Sequence, residues 1–100
     1  MKYRLVLTDK SVSDIRKVKA WYEKQQKGLG KKFADTIFKN VEEIKSAPLA
    51  YPNKYKYTRE KYVRKFPYLV IYSIEEDVIF ILRVFACKMN PGEKYKVYYE

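Results

Sequence analysis

Residues 66 to 86 read FPYLVIYSIEEDVIFILRVFA, and the fold turns on how this stretch divides. Tyr68 to Ile74 is almost continuously apolar, the pattern of a central strand covered on both sides, and Val78 to Ala86 is a second apolar run of strand length. The acidic triplet Glu75-Glu76-Asp77 between them predicts a turn, so the two runs predict an antiparallel hairpin. Just upstream, from Arg59 to Phe66, cations interleave with Tyr62, Val63 and Phe66, which suits a strand with one wetter face. Downstream, Asn90-Pro91-Gly92 breaks the sheet, and the alternating Lys and Tyr from Lys94 to Glu100 read as a last edge strand or a disordered end.

Further upstream the period changes. Residues 3 to 8, Tyr-Arg-Leu-Val-Leu-Thr, read as a first strand. Ser11 with Asp14 three residues on then resembles a capping box, and Val12, Ile15, Val18 and Tyr22 recur at helical spacing, predicting a helix from about Ser11 to Gln26. Gly28 and Gly30 flank Leu29 where one helix ends and a second begins. Phe33, Ile37, Val41 and Ile44 make the stripe of that second helix, widened by Ala34 and Phe38 and ended by Pro48. Pro48 and Pro52 bracket a tyrosine-rich surface loop to about Tyr57. The expected fold class is α+β: an N-terminal strand, a helical hairpin, then a three-stranded antiparallel meander, with the helices packed on one face of the sheet. The other face, expected to be open, is the natural place for function.

One domain accommodates all 100 residues. The net charge is +10, from 22 Lys and Arg against 12 Asp and Glu, beyond the magnitude of about 2 to 8 usual for a small domain. Such an excess draws in nucleic acid, an anionic membrane or an acidic protein partner. The chain has one cysteine, Cys87, and no histidine. With no signal peptide or membrane-length apolar run in view, a reducing cytoplasm is the expected compartment, with no disulfide and no membrane association. Seventeen aromatic residues, eleven of them Tyr, enlarge the core and leave hydroxyls at its rim.

The element order, with Leu29-Gly30 before Phe33 and Arg64-Lys65-Phe66-Pro67-Tyr68 opening the central strand, resembles the RelE/ParE toxin superfamily of type II toxin–antitoxin systems across nearly the whole chain. Phe66-Pro67-Tyr68-Leu69-Val70-Ile71-Tyr72 is similar to the phenylalanine-proline-tyrosine strand of the ParE branch, and Ile81-Leu82-Arg83-Val84-Phe85 resembles its last core strand. Where many ParE-like proteins follow that strand with His and then Arg-Asp, this chain has Ala86 and Met89-Asn90. Where RelE-like ribonucleases place a cation after the central tyrosine, it has Leu69.

The resemblance implies a growth-inhibiting, plasmid-stabilisation type of toxin, neutralised by an acidic antitoxin in a complex that can be of higher order. Two targets follow from the two branches. A ParE-like toxin poisons DNA gyrase or a related topoisomerase without performing chemistry. A RelE-like toxin cuts messenger RNA on the ribosome, and a toxin-derived but inactive domain is a third reading.

RNA cleavage requires proton transfer and positive charge around the phosphorane, and without histidine that work falls to Lys, Tyr or carboxylates. Lys61 or Lys65 would be the base, with Arg64, Arg59 or Lys88 steadying the phosphate; Arg59, Lys61, Arg64, Lys65 and Lys88 are also the expected target-binding set. The same run also reads as a solvated basic strand. No glycine-rich phosphate loop, metal-ligand spacing or nucleophile–histidine pairing is present, so no metal and no cofactor is expected. Arg83, inside an apolar strand, is expected to pair with Glu42 or Glu43 or to face the functional surface. Phe66, Pro67 and Tyr68 serve either structure or function.

Overall fold

The stripe of the second helix and the two apolar runs need each other, and their mutual burial sets the architecture. In the computed structural model, which describes residues 2–87, the elements are β1 (Arg4–Leu7), α1 (Asp9–Gln25), α2 (Leu29–Ser46), β2 (Asn53–Tyr55), β3 (Thr58–Val63), β4 (Tyr68–Glu75) and β5 (Val78–Ala86). They form one five-stranded sheet in the order β1-β5-β4-β3-β2. β5, β4, β3 and β2 run antiparallel in sequence, whereas β1 lies parallel to β5. A parallel pair demands a crossover connection, and the α1–α2 hairpin is part of it.

Both helices lie on one face. Phe33, Ile37, Val41 and Ile44 are almost fully buried against Val63, Val70, Tyr72, Ile79, Ile81 and Val84. Strand alternation assigns the other face to Tyr62, Leu69, Ile71, Ser73 and Phe85. That face is not the bare surface expected: Ile71 and Phe85 are buried and, with Leu82, form a second apolar cluster.

The hairpin is stapled at its turn. Gly28, at φ 87°, takes the left-handed conformation that lets α2 start three residues after α1's cap, Gln26. The Glu23 carboxylate then accepts from the Gly28 and Gly30 backbone N–H groups at 2.9 and 3.0 Å, so a side chain of α1 satisfies the N-terminus of α2. Gly30 also has no room for a side chain, because a β-carbon there would stand 2.5 Å from the Lys19 carbonyl oxygen.

Several sequence expectations shift at their boundaries. α1 starts at Asp9, not Ser11, because Thr8 is the cap that accepts from the Ser11 N–H. Asp14 is thereby released from any capping box. The tyrosine-rich loop contains the short strand β2, returned to β3 by a turn in which Lys56 has φ 49°. β3 ends at Val63, so Arg64 to Pro67 form the turn into β4 and not the end of a strand.

Arg83 pairs with neither Glu42 nor Glu43; its register with Ile71 puts it on the face away from the helices, 4.0 Å from the centre of the Phe85 ring. Its Nε and a terminal nitrogen donate to the two oxygens of Asp14 at 2.7 and 2.9 Å. The register shifts beside this point, between Ile71 and Tyr72, and β1 has already ended. The β5 edge is therefore completed by side chains: Thr8 Oγ1 donates to the Ile81 carbonyl, and Asp14 accepts from the Val84 N–H. α1, not α2, crosses β5 here, which is why the carboxylate comes from α1.

Candidate binding cleft at the sheet edge

β2 covers only the first residues of β3, pairing with Thr58 and Arg59, and the Glu60 N–H donates to the Pro52 carbonyl. Beyond Glu60 the β3 edge has no neighbouring strand among the described residues. A cleft of about 760 Å³ opens there, between the second half of α2, the connector around Tyr51 to Lys54, and the 64–67 turn. Lys39, Lys54, Lys61, Arg64 and Lys65 line it against the carboxylates of Glu43 and Glu60, with Tyr51 and Tyr62 supplying rings.

Lys61, a candidate site cation in a run that suits a strand with one wetter face, stands in the helix-facing row with Val63 and is only 8 % exposed. Alternation from the fully buried Val63 fixes that side. Its stem lies under α2, and its ammonium donates to Asn40 Oδ1 and pairs with Glu43 Oε2 at 3.2 Å. It also sits 5.1 Å from the centre of the Tyr51 ring. Asn40 in turn donates to the Thr36 carbonyl, which fixes its amide so that its oxygen faces the lysine.

Arg59 occupies the same row, and its guanidinium donates to the Tyr51 carbonyl at 2.7 Å. Tyr72, fully buried beneath it, donates to the Pro48 carbonyl. Burial, outweighing the opposing pull of the Arg59 charge, pushes the Tyr72 hydroxyl up to about 12. Two core strands thus pin the connector that makes the cleft's wall.

Arg64 and Lys65 are exposed on the turn, at the rim of the cleft. Lys61, Arg64 and Lys65 therefore come together, whereas Arg59 is committed to the connector backbone. Lys88 and the Asn90-Pro91-Gly92 and Lys94–Glu100 segments lie outside the described residues. Phe66 and Tyr68 join Tyr22 and Phe33 in an aromatic cluster with ring centres 4.9 to 6.5 Å apart, a packing role worth about 0.5–1.5 kcal/mol per pair beyond buried area. Burial also raises the Tyr68 hydroxyl above its ordinary value, helped by Tyr22. Pro67 accepts from the Cys87 N–H, tying the 64–67 turn to the end of β5.

The face away from the helices receives no Lys or Arg from β3 or β4, whose residues there include Glu60, Tyr62, Leu69, Ile71 and Ser73. The cations gather instead at the rim. Sequence reading missed Lys39, Lys54, Asn40 and Glu43 as cleft residues; the i, i+3 spacing of Asn40 and Glu43 on one helical face was the available signal. No helix of the described residues is long and apolar enough to cross a membrane.

Residues 5–91 match the family model described as ParE toxin of type II toxin-antitoxin system, parDE. A structure titled as the chromosomal ParDE TA system from P. aeruginosa superposes with a TM-score of 0.77 at 17% identity, covering 85% of this chain and 96% of that one. A variant of the E. coli toxin RelE in complex with an antitoxin RelBc peptide gives 0.64 at 16% identity, covering 100% and 97%. The isolated E. coli RelE toxin gives 0.63 at 17% identity, covering 95% of each chain. No curated protein matches the sequence.

Proposed function

This chain belongs to the ParE toxin family of type II toxin–antitoxin systems, and from that premise we propose that it arrests growth by binding DNA gyrase or a related topoisomerase in the cytoplasm. We read residues 1–100 as one toxin domain. The observation that carries the gyrase reading is the family match over residues 5–91 in a chain with no histidine, with no basic residue from β3 or β4 on the face away from the helices and with the β5 cation there, Arg83, held by Asp14. A cation-lined face of that kind is what cleaving RNA through its own hydroxyl would use. Supercoiling by purified gyrase is the test. Inhibition with trapped cleaved DNA is the expected result, and unchanged supercoiling rejects this target.

The partner we propose is an acidic antitoxin. A net charge of +10 accelerates association with an acidic chain and makes it sensitive to salt. The β3 edge beyond Glu60 offers backbone groups for an added strand beside Arg64 and Lys65. Size exclusion of the toxin mixed with the product of the adjoining reading frame tests this, with a complex at low salt expected.

A ribosome-dependent ribonuclease is the second reading, favoured by the convergence of Lys61, Arg64 and Lys65 on one cleft. Toeprinting on translating ribosomes separates the two, since new message ends on toxin induction belong to this reading alone.

A further inference from the structure

A lysine ammonium carries three hydrogens and no acceptor. In Lys61 Asn40 accepts one of them, Glu43 pairs with the charge at 3.2 Å and the Tyr51 ring centre lies 5.1 Å away, so the ammonium is held fixed where it lines the cleft. Its neighbours fix a positive charge at the floor of the cleft. Arg64 and Lys65 stand on the same cleft and make no ion pair among the described residues. Tyr62 presents a ring that is 54 % exposed. The volume, about 760 Å³, falls within the range of about 300–1,000 Å³ of small-ligand sites.

We propose that this cleft binds a nucleotide, its phosphates received by Arg64 and Lys65 at the rim and attracted by the fixed charge of Lys61, its base laid on Tyr62. The five cations against two carboxylates leave the cleft positive when empty, which suits a ligand bearing two or three negative charges better than a neutral one. An aromatic platform beside a cationic track is what a base joined to a phosphate requires, and an acidic peptide would have no use for it. The nucleotide has two sources, a free mononucleotide or one unit of a single strand. This inference deepens the ribonuclease reading, which rests on the same cleft, but its failure is separable, since nucleotide binding is measured without ribosome, gyrase or antitoxin and toeprinting is not.

Titration calorimetry of the full chain with ADP, with adenosine, with a short single-stranded oligodeoxynucleotide and with oligoglutamate tests it. ADP is expected to bind and adenosine to bind far more weakly. Replacing Arg64→Ala with Lys65→Ala should weaken ADP by about tenfold or more, as loss of two charge-assisted contacts implies. Tyr62→Ala should weaken it by at least about fivefold through lost stacking. All three residues are exposed, so these variants keep the fold, which circular dichroism checks.

Because the whole chain is basic, the deciding control is Lys17→Ala with Lys24→Ala on α1, the same loss of charge away from the cleft. It should change ADP affinity by less than about twofold at physiological salt, where the screening length is about 8 Å. Binding of the oligonucleotide but not ADP, with the same ranking of variants, assigns the site to a strand and supports the proposal. Equal weakening by the α1 variant, oligoglutamate binding as tightly as ADP, or silence from both nucleotide probes overturns it.

Discussion

The two edges of the sheet bury a cation in opposite ways. Where β5 outruns β1, Arg83 and Asp14 are 15% and 14% exposed and hold each other through two parallel bonds, while the same carboxylate takes the Val84 N–H. At the β3 edge the Lys61 side chain is 10% exposed, but that of its carboxylate partner, Glu43, is 46% exposed, and its other partner is a neutral amide. One arrangement is closed, with the carboxylate's capacity taken up by the fold. The other leaves capacity facing a cleft. Burial alone therefore does not separate a structural cation from a binding one; what separates them is whether the partners inside the fold use the charge up.

The largest effect that comparison predicts falls on the closed side. Asp14→Ala removes the carboxylate partner of a withdrawn guanidinium and strands the Val84 N–H at a strand edge, so it should cost about 3–5 kcal/mol. Urea denaturation measures this directly. Asp14→Asn, which keeps the size and one acceptor, should lose clearly less. A cost below about 1 kcal/mol for Asp14→Ala, the range of exposed ion pairs, would make the seam no more than a surface contact.

Next comes the wall of the open side. Tyr72→Phe leaves the Pro48 carbonyl without its donor and should cost about 1–3 kcal/mol. It also carries a pH signature. The hydroxyl is raised in the folded state to about 12 from an ordinary 10, so its contribution is fully present below about pH 10 and is lost as pH rises through about 12. Denaturation midpoints followed from pH 9 to 12 should fall less steeply in Tyr72→Phe than in the native chain. An identical alkaline slope in the two would place the loss elsewhere.

How much of this was legible beforehand follows the physics of each element. The apolar runs at Tyr68–Ile74 and Val78–Ala86 and the stripe through Phe33, Ile37, Val41 and Ile44 depend on local periodicity, and all three appear as read. The partner of Arg83 was not legible, because it depends on which helix crosses β5, and that is settled by β1 inserting beside β5. The orientation of Lys61 was not legible for a related reason. In a strand of alternating cations and aromatics, parity alone leaves two choices, and the buried Val63 decides between them only once β3 is known to pair with β4. The short β2 escaped notice because nothing in Asn53–Tyr55 is buried, so hydrophobic pattern had no hold on it.

The smallest effect tests the open side at its centre. Lys61→Met keeps the unbranched stem that lies beneath α2 and removes only the charge. Glu43, about half in water already, can be hydrated without it, and the Asn40 oxygen borders a cleft wide enough for water to replace the ammonium. The expected cost is about 1 kcal/mol, the net worth of an ordinary hydrogen bond and not of a broken buried pair. Combining it with Asn40→Leu should not compound the loss, because the second change removes an acceptor whose protein partner the first has already taken away; a double-mutant cycle reads that coupling. Were Lys61→Met as costly as Asp14→Ala, the lysine would be held as tightly as the arginine, and the distinction between the two edges would fail.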